Sequence, residues 1–198
     1  MPRRTQGPGE TLMVNHCFSR FFNSSRATLQ VVGKGGMNVM LNNRAANPIS
    51  FRGSLAHPLH QEIYGYWWDI APIGELPGRQ HIEPASIQEL MPWLMLMDVI
   101  VSDAGPRFRF RLVGMRTAER FGKDATGLWL DDVTSGRQLQ TVSDRFCTVV
   151  NTKAPIHYED NSYAHGNEQV AIDTPALPLA TDGQAVDMLM LVNVAPIT

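Results

Sequence analysis

The chain has 198 residues, 43% of them apolar, which is enough for one well-buried core, and it lacks any apolar run near the roughly eighteen residues of a membrane span. A formal net charge of -2 hides an asymmetry: residues 1–60 carry seven basic groups and one acid, Glu10, whereas residues 61–198 carry ten basic and eighteen acidic groups. The acidic part gives no electrostatic footprint for nucleic acid.

Residues 1–60 have no sustained periodicity and are broken by Gly35-Gly36, Asn42-Asn43, Asn47-Pro48 and His57-Pro58. Residues 1–57 read as a basic segment that is disordered or loosely attached. Its composition is that of a transit peptide, but a flexible tail, or a start assigned ahead of Met13 or Met37, is the preferred explanation. No apolar stretch marks a secretory signal. Cys17 and Cys147 form no metal or redox spacing, and their scarcity fits a reducing cytoplasm.

From Pro58 the texture changes. Residues 61–68 (QEIYGYWW) predict a short helix that packs Tyr64, Trp67 and Trp68 into the core. A loop at 71–80 precedes a helix opened by Pro84 and ended by Pro92, with Ile87, Leu90 and Met91 as its buried stripe. Residues 94–101 (LMLMDVIV) predict a strand, and 102–106 a turn. In 107–112, Phe108, Phe110 and Leu112 alternate with Arg107, Arg109 and Arg111, the pattern of a half-buried antiparallel strand. Thr117 is the expected cap of a short helix through Phe121, which Gly122 stops.

Leu128, Trp129 and Leu130 return apolar bulk to the core. The strongest helix is 135–152, capped by Thr134, where Leu139, Val142, Phe146, Val149 and Val150 share one face. Cys147 flanks that face as a small apolar group. A strand at 155–164, a turn at His165-Gly166-Asn167 and a strand at 169–180 disturbed by Pro175 and Pro178 follow. Residues 186–194 (VDMLMLVNV) are nearly all apolar, as a central strand covered on both faces would be.

Two strands, helical segments and three further strands joined by short turns make an α+β chain with antiparallel pairing. That order resembles a PAS domain, a five-stranded antiparallel sheet with helices inserted between strands 2 and 3. The chain is similar to the bacterial single-domain PAS family with a Trp-containing N-terminal extension. The resemblance is carried by Trp67-Trp68, Pro77, Arg79, Ile82-Glu83-Pro84, Leu90-Met91-Pro92 and Leu96-Met97-Asp98. It continues through Phe110 to Gly114, Gly122, Thr126-Gly127, Leu177-Pro178-Leu179, Asp182-Gly183 and Val186-Asp187. It covers about residues 64–195. Where this family has Gly-Thr after the second strand, this chain has Gly114-Met115.

The resemblance implies a PAS-like domain at 58–198 with an N-terminal helical extension. It implies a non-catalytic sensory or signalling module, located in the cytoplasm, that binds a small molecule between sheet and helices. Pairing across the outer sheet face, as a homodimer or with a partner signalling protein, belongs to the same expectation. It names no ligand. Two other classes stay open: a small enzyme using an α+β cavity, and a ligand-free interaction scaffold. A buried acid–base pair facing one pocket, such as His157 with Glu159, would favour the enzyme.

Covalent flavin chemistry is not expected, because neither cysteine sits in a Gly-Arg-Asn-Cys-Arg-like helix start. Haem is not expected either, since the helix at 135–152 contains no histidine ligand. No metal site is expected: His57 and His60 are close in sequence but lie in an irregular stretch. There is no G-x-S-x-G elbow. The Arg107, Arg109 and Arg111 ladder reads as a solvated face pairing nearby acids, with Asp98 on the adjacent strand as one partner. Its alternative is a docking surface.

The expected ligand-binding group is Phe108, Phe110 and Leu112 facing Phe121, Trp129 and Phe146, with Arg116 and Tyr158 as polar members. His157 and Tyr158 are neighbours on a strand and face opposite ways. Tyr158 shares parity with Ile156 and is expected to point inward.

Overall fold

Alternation in 107–112 does produce a strand, and the apolar run near the C-terminus lies beside its partner in one sheet. The computed structural model describes residues 38–39, 48–103, 105–163 and 169–196. The turn expected at His165, Gly166 and Asn167, and most of the basic N-terminal segment, fall outside those residues. The strands are β1 (Asn38–Val39), β2 (Leu94–Ser102), β3 (Gly105–Val113), β4 (Ile156–Tyr163), β5 (Gln169–Leu179) and β6 (Met188–Val192). They are ordered β1-β4-β5-β6-β2-β3, and every pairing is antiparallel. The helices are α1 (Pro48–Ser54), α2 (Pro58–Asp69), α3 (Met115–Phe121), α4 (Leu130–Val133) and α5 (Gly136–Thr152). The expected five-stranded antiparallel sheet, with helices inserted between its second and third long strands, is thus observed. The two-residue β1 is added at the free edge of β4. No helix among the described residues is long and apolar enough to cross a membrane.

β6 is buried at all five positions, as its unbroken apolar sequence requires. Its odd-numbered side chains, Leu189 and Leu191, join an inner core beneath α3–α5, with Met97, Phe108, Phe110, Phe146 and Ile156. Its even-numbered side chains, Met188, Met190 and Val192, join an outer core with residues of α1 and α2. The outer sheet face, expected to serve for pairing, is therefore covered over these strands by the chain's own N-terminal helices.

α2 starts three residues earlier than the sequence pattern indicates. His57 is its N-cap, accepting from the Leu59 N–H at 3.2 Å, and Pro58 sits in the first turn, where its missing donor costs nothing. The buried stripe is His60, Ile63, Tyr64 and Trp67, at helical spacing. Trp67 Nε1 donates to the Pro178 carbonyl at 2.8 Å, pinning the helix to β5. α1 lies within the stretch expected to be loose, yet Phe51 and Leu55 are fully buried in the outer core. The Phe51 ring lies 4.9 Å from that of Tyr64.

The helix expected between Pro84 and Pro92 is absent. Two single 3-10 turns, Pro84–Ile87 and Met91–Trp93, stand there instead. So short a run between two prolines lacks the hydrogen bonds to offset helix nucleation. Gly114, not Thr117, caps α3. Thr117 is buried and donates its hydroxyl to the Trp93 carbonyl at 3.0 Å. A side chain at Gly114 would meet the Met91 carbonyl oxygen at 2.4 Å, so that close crossing requires glycine. α5 begins at Gly136 with Ser135 as its N-cap, one residue beyond the expected Thr134. Gly122 ends α3 in the left-handed conformation, as expected.

Phe51→Ala in the full chain is expected to cost about 3–5 kcal/mol of unfolding free energy by cavity creation. Urea denaturation reads it directly. A loss under about 1 kcal/mol would place α1 outside the cooperative core.

Candidate functional site

The inner core gathers part of the expected ligand-binding group. Phe108 and Phe110 on β3 point inward, and the Phe108 ring meets that of Phe146 on α5 edge-on at 5.2 Å. Tyr158 is buried with them, and Phe121 packs at the margin. The parity argument for Tyr158 holds: Ile156 and Tyr158 face inward while His157 faces outward. Thr174 is the register partner of Tyr158 on β5 and is also buried. The Arg145 guanidinium lies 4.4 Å from the centre of the Tyr158 ring and pairs with Asp160 at 2.6 Å.

Three expected members stand elsewhere. The register of β2 against β3 shifts between Leu96 and Met97. Leu96 pairs with Leu112 and Met97 with Phe110, which leaves Arg111 as an extra residue. That bulge reverses the alternation. Leu112 turns to the outer core, and Val113 takes the inward place. Trp129 forms a bridge beside Arg109 at the edge of β3, with the Arg107 guanidinium 4.1 Å from its ring centre. Of the three apolar residues at 128–130, only Leu130 reaches the core. Arg116 is exposed and pairs with Glu119 one helical turn on.

The arginine ladder is engaged within the chain. Arg109 and Arg111 both bind the largely buried Asp98, at 2.8 Å and 3.1 Å, and Arg107 binds Asp131 at 2.8 Å. Asp98 is the partner expected from strand adjacency, and the docking alternative loses its unpaired guanidinium groups.

Beneath α2, on the outer side of the sheet, lies a buried polar cluster that sequence reasoning missed. His60 from α2, His157 from β4 and Asp173 from β5 bring three donor atoms within 4.8 Å of one another. His157 Nε2 is hydrogen-bonded to Asp173 Oδ1. His60 Nδ1 lies 3.6 Å from the same oxygen, and His60 Nε2 is 3.1 Å from the Val192 carbonyl oxygen. Burial lowers the His60 pKa to about 4, although the Asp173 charge pulls the other way. Burial pushes Asp173 up, but the His157 hydrogen bond and the nearby imidazoles outweigh it and hold the carboxyl below its usual range. Glu159, the acid considered for His157, is exposed. The usable signal lay in α2: His60 occupies the first position of the stripe continued by Ile63, Tyr64 and Trp67, so it is a helical core residue and not part of an irregular stretch. Asp173 had the equivalent signal, as an acid sharing strand parity with the outward Leu177 and Leu179.

Burial pushes the Tyr158 phenol up to about 12, against the pull of Arg145. An unfolded phenol titrates near 10, so between these values the folded chain keeps a proton the unfolded chain has lost. Stability is present in full below pH 10 and falls as the pH rises through this window, by roughly 2–3 kcal/mol in all. Tyr158→Phe should flatten the decline in urea midpoint across the alkaline range. Tyr64, also raised by burial, keeps its own slope of the same sign. An unchanged decline in Tyr158→Phe would refute the assignment.

Among solved structures, the chain is similar to a variant of RsLOV, at 14% identity over 55% of this chain and 64% of that one, with a TM-score of 0.41. It is similar to a variant of the fungal photoreceptor VVD, at 12% identity over 71% of this chain and 98% of that one, with a TM-score of 0.43. It is also similar to an RNA-binding light-oxygen-voltage receptor, at 8% identity over 63% and 37% of the two chains, with a TM-score of 0.42. No curated protein matches. A family model described as PAS domain matches residues 55–192, which takes in α2, all five long strands and the inserted helices. With that match over most of its length, the chain belongs to the PAS domain family.

Proposed function

We propose that the chain is a non-catalytic sensory or signalling module that binds a small molecule between the inner sheet face and α3–α5. The signal passes to a partner protein or to a second copy of the chain. The carrying observation is that Tyr158 and Thr174, two hydroxyl-bearing residues in register, are buried among Phe108, Phe110 and Phe146. A mostly apolar lining with a few fixed polar groups suits a flat or apolar organic molecule. Arg145, over the Tyr158 ring, links that lining to α5, the element whose displacement would report occupancy. Placement in the bacterial PAS group with a Trp-containing extension belongs to the same reading, supported by Trp67 and Trp68 on α2.

The enzyme alternative needs an acid–base pair that a substrate can reach. Among the described residues, the buried imidazole–carboxylate cluster lies on the outer side of the sheet, under α2. That placement favours the non-catalytic reading.

Native mass spectrometry of freshly purified full-length protein, before and after denaturation, tests the proposal. The expected result is a small molecule released from wild type and depleted in Phe110→Ala, with the ligand-free variant losing well under the 3–5 kcal/mol or so of a filled core. Absence of any released molecule, together with a Phe110→Ala loss of about 3–5 kcal/mol, would overturn it in favour of a protein-interaction scaffold.

A further inference from the structure

His60 is held between two acceptors. Its Nε2 faces the Val192 carbonyl oxygen at 3.1 Å, and its Nδ1 faces Asp173 Oδ1 at 3.6 Å without making a hydrogen bond. A neutral imidazole carries one N–H and one lone pair. Whichever nitrogen holds the proton, the other directs its lone pair at an oxygen. In a fully buried position that repulsion is costly and water does not relieve it. A second proton would satisfy both acceptors, but burial opposes it. A cation between Nδ1 and the carboxylate satisfies them equally well.

The surroundings supply what such a cation needs. His157 Nε2 is directed at the same Asp173 oxygen, and all three side chains are buried. A tetrahedral ion with metal–nitrogen bonds of about 2.0–2.1 Å holds its ligand atoms about 3.3 Å apart. The 3.6 Å between His60 Nδ1 and Asp173 Oδ1 is close to that separation, whereas His157 Nε2 and Asp173 Oδ1 are in direct hydrogen-bond contact and must part to admit the ion. Two imidazoles select a transition metal over calcium or magnesium, which take oxygen ligands.

We propose that His60 Nδ1, His157 Nε2 and Asp173 Oδ1 bind one divalent transition-metal cation, of the Zn2+ type, that clasps α2 to β4 and β5. The ion takes the place of the Nε2 proton that His157 shares with Asp173. That proton moves to His157 Nδ1 or to solvent, and no electron is transferred. His57 stands beside the site, its ring centre 5.2 Å from that of His60. Its Nδ1 caps the helix and so is held away from the ion. Three ligands from three separate elements, all buried, make this a structural clasp and not a place where substrate meets metal. The inference is independent of the small-molecule reading of the inner core.

The test uses the full-length chain without a histidine tag. Metal content is measured as purified, then the protein is stripped with chelator and titrated with ZnCl2 alone. The expected results are about one Zn2+ per chain and a midpoint of thermal unfolding roughly 5 °C or more higher on readdition. Asp173→Asn and His60→Gln, which keep size, should each abolish that rise. Co2+ in place of Zn2+ should give the visible bands of a nitrogen–oxygen tetrahedral site without thiolate charge transfer, a readout that needs only wild type. Absence of Zn2+ uptake by the stripped wild type would overturn the proposal. So would uptake that persists in both variants, or a thiolate signature with Co2+.

Discussion

A strand that is apolar at every position cannot lie on a surface. β6 reads Met-Leu-Met-Leu-Val, and it is central in the sheet, between β5 and β2. Both of its faces must leave water, so the sheet needs a layer on each side. α3–α5 supply one layer from within the sheet's own connection. The other comes from α1 and α2, ahead of the first long strand. The N-terminal helices are therefore part of the fold: without them Met188, Met190, Leu177 and Leu179 would form an exposed apolar patch.

This constraint redistributes roles. The outer face of a PAS sheet was expected to be the pairing surface, but here its central strands are covered in cis. Any association would have to use other ground, and the arginines of β3 offer little, since Asp98 and Asp131 hold them. Asp98 is the economical element here. One largely buried carboxylate binds two guanidinium groups that strand alternation places on the same side. The bulge at Arg111 then hands Leu112 to the outer core and Val113 to the inner one. A single inserted residue thus decides which core each of these two side chains joins.

The parts legible in the sequence were those with undisturbed periods. α5, β2, the Gly122 stop and the antiparallel order all followed from apolar spacing and turn residues. So did the inward aim of Tyr158, because β4 keeps strict alternation. Leu112 failed because a bulge leaves no mark in a perfect polar–apolar alternation; only the neighbouring strand reveals it. The Pro84 helix failed because so short a run between two prolines has too few hydrogen bonds to offset nucleation. The buried His60 was not legible because the helix begins at Pro58, ahead of the apolar spacing that marks it, and Asp173 because an acid in a strand reads as solvated until the covering helix is known. Taken by position, each belonged to the core.

Tyr158 and the histidine–aspartate cluster, both buried, behave differently for a physical reason. Tyr158 is uncharged at neutral pH, so burying it costs only the pairing of one hydroxyl, and Arg145 can lie against its ring from the partly wet side. The cluster of His60, His157 and Asp173 is of another kind. It places a carboxylate among apolar groups, where an uncompensated charge is far more costly than an unpaired hydroxyl. Removing the three polar groups for apolar ones would be the simpler way to seal α2 onto the sheet. Their presence at the point where helix, β4 and β5 meet means that the seal of the outer layer carries a chemical condition. In the proposed clasp, a cation facing the carboxylate meets that condition. The cover that the all-apolar β6 demands is thus fastened at one end by an electrostatic match, and at the other by Trp67 on the Pro178 carbonyl, which carries no such condition.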